Sequence, residues 1–284
     1  MDILINGKAA DITLDTEKTL GDVLTGIELW ISPTGNRING ITLDGKPILD
    51  NLAEVSPQAV REIKKLEIFV TPWRELAAEA LISLLETCNR YGNAAFEDRP
   101  QIAAGWEKSA AARFSKSDIS DIAFLAERTL SGEGLSPGEL SLLIDERLRE
   151  IYDPGRETLS ARPLVEAIVQ RMEELPLDIQ TGKDQRAAET VQLFSRMGEK
   201  LFRIFFLLES EGLSPDTFII DSVPAQSFIN DFNSALKELS AAYENRDIVL
   251  AGDIAEYELA PRLFKFFSAL KELAESDSAL MPES

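Results

Sequence analysis

Histidine is absent from all 284 residues. Imidazole is the side chain whose ordinary pKa suits proton transfer near neutrality, and it is the commonest metal ligand. Ser–His and Cys–His pairs and His-ligated zinc or iron sites are therefore excluded, leaving carboxylate, lysine, tyrosine or backbone chemistry. Cys88 is the single cysteine, which rules out an intrachain disulfide and cysteine-based metal cages. No stretch approaches the roughly 20 uncharged apolar residues that a membrane span needs. The opening Met1-Asp2-Ile3-Leu4-Ile5-Asn6-Gly7 lacks the basic start and long apolar run of a secretory signal. The expectation is a cytoplasmic protein with no direct membrane insertion, which a partner can still recruit to a membrane.

Basic residues are also scarce, 29 Lys and Arg against 49 Asp and Glu, for a formal charge of −20. Residues 1–72 hold 11 acidic and 7 basic residues, so most of the excess lies beyond them. Such a field repels phosphates and anionic lipid, whose binding requires clustered Lys and Arg. The longest basic stretch, Arg61-Glu62-Ile63-Lys64-Lys65, is interrupted, and no nucleic-acid binding is expected. Solubility explains the acidity at least as well as an adapted binding surface does. Aromatics are few, at 7%, yet 44% of the chain is apolar, enough for two domains with their own cores.

Residues 1–72 read as short strands around one helix. Ile3 and Ile5 alternate with Asp2, Leu4 and Asn6, and Asn6-Gly7 supplies the positive φ angles of a tight hairpin. Ile12 and Leu14 continue as a second strand. Thr19-x-x-Asp22 forms a capping box ahead of Leu20, Val23, Leu24, Ile27 and Ile31, which fall at helical spacing. Pro33 and Gly35 stop that helix. A strand through Ile38, Ile41 and Leu43 meets a second turn at Asp44-Gly45, and Leu66, Ile68 and Val70 form the closing strand. This order of elements and turns resembles the β-grasp fold of ubiquitin-like domains. Conjugated members and the related sulfur carriers end in an exposed Gly-Gly, whereas here the strand runs into Thr71-Pro72-Trp73-Arg74. The resemblance thus implies a docking module and not conjugation chemistry.

Beyond Pro72 the apolar period changes from two to 3.6. Ala77, Leu81, Leu84, Cys88 and Tyr91 share a face of a helix that ends at Gly92-Asn93, and 93–116 reads as a loop with a short helix. Ile119, Ile122, Ala126 and Leu130 mark the next. Glu133-Gly134-Leu135-Ser136-Pro137 and Glu211-Gly212-Leu213-Ser214-Pro215 match. Each reads as a left-handed glycine stop, then a serine cap and a first-turn proline. Glu139 completes a capping box with Ser136. The likeness comes from the shared physics of tight helix junctions before it argues for duplication. Further stripes are Leu140, Leu143, Ile144, Leu148 and Ile151, ending at Asp153-Pro154-Gly155, and Leu164, Val165, Ile168, Met172 and Leu175, ending at Pro176. The strongest helix runs from about 184 to 211 with the seam Ala187, Val191, Phe194, Gly198, Leu201, Phe205 and Leu208. Its length and all-round apolar end place it at the centre of a bundle. Phe228, Phe232, Leu236, Leu239 and Tyr243 mark another helix, broken at Asn245-Arg246-Asp247. Ala251, Ile254, Ala255 and Leu259 lead past Pro261, which should kink or divide the segment, to Leu263, Phe266, Leu270 and Leu273. The fold class is α+β: a β-grasp-like domain over 1–72, a helical bundle over 73–276 and a flexible tail over 277–284.

No residue set amounts to a catalytic, cofactor or metal site. Asp247, Asp253, Glu256 and Glu258 are the densest carboxylate group, and Asp253 and Glu256, three apart, could bind Mg²⁺ or act as an acid/base pair. A solvated acidic face is the preferred reading, because metal carboxylates in a bundle project inward from several helices. The N-terminal glycines make no nucleotide-binding loop. Cys88 reads as a buried, inert thiol. Trp30, Trp73 and Trp106 can each anchor a partner, although Trp73 at the boundary should rather pack the two domains together, and burial and exposure of Trp106 are both open. The run from Phe202 to Phe206 is read as bundle core before partner face. The expected function is a non-enzymatic protein-interaction or scaffold protein binding one or more protein partners, with homo-oligomers plausible. A narrower form is a chaperone or adaptor for a secretion or flagellar-type export system. The alternative is a histidine-free, carboxylate and divalent-metal enzyme of the helical domain.

Overall fold

The computed structural model describes residues 1–10, 12, 14, 16–48, 51–210 and 212–280. It confirms the α+β class: a mixed sheet at the N-terminus is followed by helices. The chain divides into two compact units, Met1–Leu148 and Arg149–Ser284.

In the first unit, β1 (Asp2–Ile5), β2 (Lys8–Ala9), α1 (Leu20–Ile31), β3 (Asn36–Leu43), β4 (Lys46–Pro47), α2 (Leu52–Val55) and β5 (Lys65–Pro72) come first. The sheet order is β2-β1-β5-β3-β4, with β1 and β5 parallel and the other pairs antiparallel. α1 buries Leu20, Val23, Leu24, Ile27 and Ile31 in one apolar core with Ile3, Ile41, Leu43, Leu66 and Ile68 of the sheet. Both turns form as their residues dictate, with positive φ at Asn6 and Gly7 and at Asp44 and Gly45. Each turn also clamps β5. Asn6 Nδ2 donates to Val70 O and Asn6 Oδ1 accepts from Val70 N, both at 2.9 Å. Asp44 Oδ1 accepts from Lys65 N at 2.8 Å and Lys64 N at 3.1 Å. The second strand differs from expectation: it is Lys8–Ala9, while Ile12 and Leu14 pack half-buried on the core outside any strand. The rest of that reading falls on 11, 13 and 15, outside the described residues. The Thr19–Asp22 capping box is complete.

Strands give way to helices at Pro72, as expected, but the compact unit continues well past it. It takes in α3 (Trp73–Asn93), α4 (Arg99–Glu107), α5 (Ala110–Asp118), α6 (Ser120–Leu130) and most of α7 (Pro137–Tyr152). Where a loop with one short helix was expected, α4 and α5 both form. Nine residues carry too few turns for a clear period, and Ser109, which accepts from Ala112 N at 3.0 Å, caps the second of them.

The matching junctions are each half right. After α6 the left-handed residue is Gly132, not Gly134: Glu133 N donates to Arg128 O and Gly132 N to Thr129 O, the paired bonds of a Schellman stop. The Ser136–Glu139 capping box then opens α7 as expected. At the second junction Gly212 does take the left-handed position. No helix follows Ser214-Pro215, however; a two-stranded hairpin of β6 (Ile219–Ile220) and β7 (Val223–Pro224) intervenes. Glu211 lies outside the described residues.

The second unit holds α8 (Pro154–Glu173), α9 (Leu175–Gln180), α10 (Asp184–Ser210), the β6–β7 hairpin, α11 (Ala225–Glu244), α12 (Ile248–Asp253) and α13 (Ala260–Leu280). The most extensive helix pairing is α8 with α13, not one through α10. α10 keeps an exposed stripe that includes Arg196, Glu199 and Phe206, so it is not surrounded. In α8 the buried stripe is Ala161, Val165, Ile168 and Met172, and Leu164 is exposed. Seven phenylalanines on α10, α11, α13 and the loop before β6 stack with ring centroids 5.0 to 6.5 Å apart, from Phe202–Phe266 to Phe228–Phe232. Pro261 does not divide its segment. A π-helical turn over Ile254–Leu259 shifts the ladder, with Ala260 N donating to Ala255 O, and carries the chain past the proline. α13 extends through Leu280, into the stretch expected as tail; 281–284 lie outside the described residues.

Candidate functional site

In the sheet layer, α1 and the β1–β2 edge bound an apolar groove of about 650 Å³. Val23, Gly26, Ile27 and Trp30 line one wall at helical spacing, and Ile5, Ala9, Ala10, Ile12 and Leu14 the other. Trp30 is 63% exposed, whereas Trp73 and Trp106 are buried. A Cβ built on Gly26 would meet nothing within 4 Å. Glycine inside a helix costs about 1 kcal/mol relative to alanine, and here its bare face keeps the wall open. Lys8 and Glu17 supply the polar rim.

The helical unit carries a different arrangement, one that sequence reasoning misses. Glu150, near the end of α7, is almost wholly buried, and Arg203 on α10 grips it with Nε and Nη2 each 2.9 Å from a carboxylate oxygen. One turn earlier, Lys200 Nζ lies 2.9 Å from Glu157 Oε2 of α8 and 4.0 Å from Glu150 Oε1. Arg149 Nε reaches Glu157 Oε1 at 3.1 Å. Two inward carboxylates from successive helices thus converge on an ammonium and a guanidinium. On α9, buried Asp178 meets Arg186 Nε at 3.1 Å and Lys183 Nζ at 3.2 Å. Every fully buried carboxylate among the described residues is paired in this way. Such pairs register helices against one another, and truncating one partner strands the other's charge. The signal in the sequence is slight: Glu150 flanks the Leu148–Ile151 stripe, and Lys200 and Arg203 are three apart on a helix.

The acids singled out from the sequence do not assemble. Asp253 is exposed and Glu256 half-buried, with the Tyr257 hydroxyl hydrogen-bonded to Glu256, which pushes the phenol pKa up. Glu258 pairs with Arg262, and Asp247 accepts from Leu250 N at 3.0 Å as the cap of α12. Among the described residues no three Asp, Glu or Cys side chains are placed to hold a metal ion, and no helix is long and apolar enough to cross a membrane. Burial pushes the Cys88 thiol up to about 11, which keeps it protonated and unreactive at neutral pH. Within 202–206, Phe205 is core, Phe202 is half-buried and Phe206 is exposed.

Comparisons with known proteins match two separate stretches of the chain. Residues 1–72 match a family model described as the TP0873 N-terminal domain, and the match ends where β5 ends. Residues 158–268 match a model described as a domain of unknown function, DUF8042, which covers α8 through much of α13. An uncharacterized protein of Treponema pallidum (strain Nichols) is 25% identical over 261 residues, 92% of each chain. No solved structure matches.

Proposed function

We propose that this chain is a non-enzymatic, cytoplasmic interaction protein whose N-terminal layer docks a protein partner in the α1–β2 groove. The observation that carries the reading is the groove itself: an apolar slot walled by Trp30 and left open at Gly26. Exposed tryptophan beside an apolar cleft is the residue type that anchors protein interfaces. The sheet order, the parallel β1–β5 pair and the single helix packed across one face support the ubiquitin-like β-grasp resemblance, and with it a docking role. The paired state of Glu150, Glu157 and Asp178 favours a structural use of the buried acids over metal-dependent catalysis. A chaperone or adaptor for an export apparatus is the narrower form of this proposal, supported by the acidic, helical composition.

The test is affinity capture with the full chain against Gly26→Leu, which fills the slot, and Trp30→Ala. One stoichiometric protein recovered by the wild type and lost from both variants supports the reading. Equal recovery by all three, or recovery of a tightly held metabolite with no protein, overturns it. Because Trp30 is the one exposed tryptophan of three, a blue shift of its fluorescence on adding the purified partner gives a second readout.

A further inference from the structure

The corner joining α11 to α12 is exposed at every residue from 243 to 250, yet its backbone is firmly built. Asp247 N donates to Ala242 O at 2.9 Å and Arg246 N to Tyr243 O at 3.1 Å, closing α11 with a Schellman stop. Arg246 holds φ at 58° to make that turn, a left-handed conformation that non-glycine residues seldom adopt. Asp247 then caps the next helix. The result presents Ile248, Val249 and Leu250 to solvent in sequence, Val249 at 69% exposure, with Tyr243 before them and Tyr257 after them in the chain also exposed. Consecutive aliphatic residues held out on an ordered turn are the signature of an interaction surface. The same stretch of chain carries exposed Glu244, Asp247 and Asp253 and half-buried Glu256 against Arg246, while Glu258 is taken up by Arg262.

We infer that this corner receives a basic amphipathic helix of a protein partner. The acidic rim selects the charge: a partner edged with Lys or Arg gains from it, while a second copy would set two acidic rims face to face. An anionic lipid surface is repelled for the same reason. The corner also selects the conformation. It is made of helix ends whose backbone groups are already engaged and offers no strand edge, so the partner's backbone has to satisfy itself, as a helix does. The inference rests on the reading of this chain as an interaction protein but uses a surface separate from the groove.

The probe is an 18-residue synthetic helix of leucine and lysine at heptad spacing, titrated into the full-length chain at about 0.15 M salt. Binding that weakens at least tenfold in Ile248→Ser/Val249→Ser, weakens severalfold in Asp253→Lys, persists in Gly26→Leu, and is absent for the same peptide with glutamate replacing lysine supports the assignment. Equal binding by wild type and Ile248→Ser/Val249→Ser would mean diffuse attraction to the −20 surface and overturns it. So does concentration-dependent dimerisation that Ile248→Ser/Val249→Ser abolishes, which assigns the corner to a second copy. Wild-type binding to phosphatidylserine vesicles that the same double variant loses overturns it too, and assigns the corner to a membrane instead. Loss of peptide binding with intact partner capture through the groove would remove this inference and leave the proposed function standing.

Discussion

In the sheet layer over 1–72, every fully buried side chain among the described residues is apolar, and polar groups work from the edges. Asn6 and Asp44 clamp β5 from the hairpin turns, and the Thr19–Asp22 box closes the start of α1. In the unit from Arg149 onward, the largest aromatic cluster of the chain shares its helices with buried ions: Glu150, Glu157 and Asp178 are sunk among helices and met by Arg203, Lys200, Arg186 and Lys183. A twisted sheet has its register fixed by alternation and by the turns that join its strands. Long helices can slide or rotate over one another at little cost in apolar burial, and a bidentate charge pair that fits in one register alone removes that freedom. Turn chemistry and apolar burial therefore organise the first region, even where the clamp reaches from Asn6 to Val70, and charge pairing between helices organises the second.

The sharpest way to break this comparison is Glu150→Ala, which strands Arg203 and should cost about 3–5 kcal/mol in urea unfolding. Glu150→Leu with Arg203→Leu should recover most of that loss; a double variant as unstable as the single one would mean that the pair acts through packing alone. Next comes Leu66→Ala, at 0% exposure in the middle strand of the sheet, expected to lose about 2–5 kcal/mol through the cavity left behind. A loss far below that range would show that edge clamps, and not the apolar core, carry the layer. Asn6→Ala removes two hydrogen bonds to Val70 and leaves a Cβ-bearing residue at φ 48°, for about 2 kcal/mol. The opposite sign is expected at the β6–β7 turn, where Ser222→Gly relieves a φ of 69° and should raise stability by up to about 1 kcal/mol.

The smallest effect is a dependence on pH at the two capping boxes. The backbone N–H of Thr19, with that of Lys18, holds the Asp22 carboxyl below its ordinary value, and the Ser136 N–H does the same for Glu139. A carboxyl depressed in the folded state stabilises above its unfolded pKa of about 4, and that stabilisation is lost as pH falls through the lower folded value. Asp22→Asn and Glu139→Gln should accordingly lower the neutral plateau slightly and flatten the acid limb, so that each variant converges with the wild type at low pH.

What is legible in the sequence follows the same division. Asn6-Gly7 and Asp44-Gly45 announce their hairpins because Asn or Asp followed by glycine is the pair that most readily adopts two positive φ angles. Asp221-Ser222 makes the same kind of turn without glycine, so the β6–β7 hairpin carries no comparable local signal. The left-handed stop after α6 falls two residues earlier than expected, because Gly132 and Gly134 are equally good candidates until the ends of α6 are known. Leu164 invites assignment to a buried stripe for its apolarity, although Ala161 is in phase and Leu164 is not. For the docking surfaces, the sequence offers three tryptophans as anchors, and only the structure leaves Trp30 exposed beside a groove made by the approach of α1 to the β1–β2 edge. The corner at 243–250 looks like a plain break in the sequence, since nothing local says that Ile248, Val249 and Leu250 fail to find a neighbour.

The sequence by itself determined most of the long elements, the two capping boxes, the change from strands to helices at Pro72, and the classes of chemistry ruled out by the missing histidine. Those properties depend on residues a few positions apart. Which acids are buried, which cation neutralises each, and which apolar residues stay uncovered were decided by tertiary structure, because burial and pairing depend on what another helix brings from 40 or 50 residues away, as Lys200 and Arg203 do for Glu157 and Glu150.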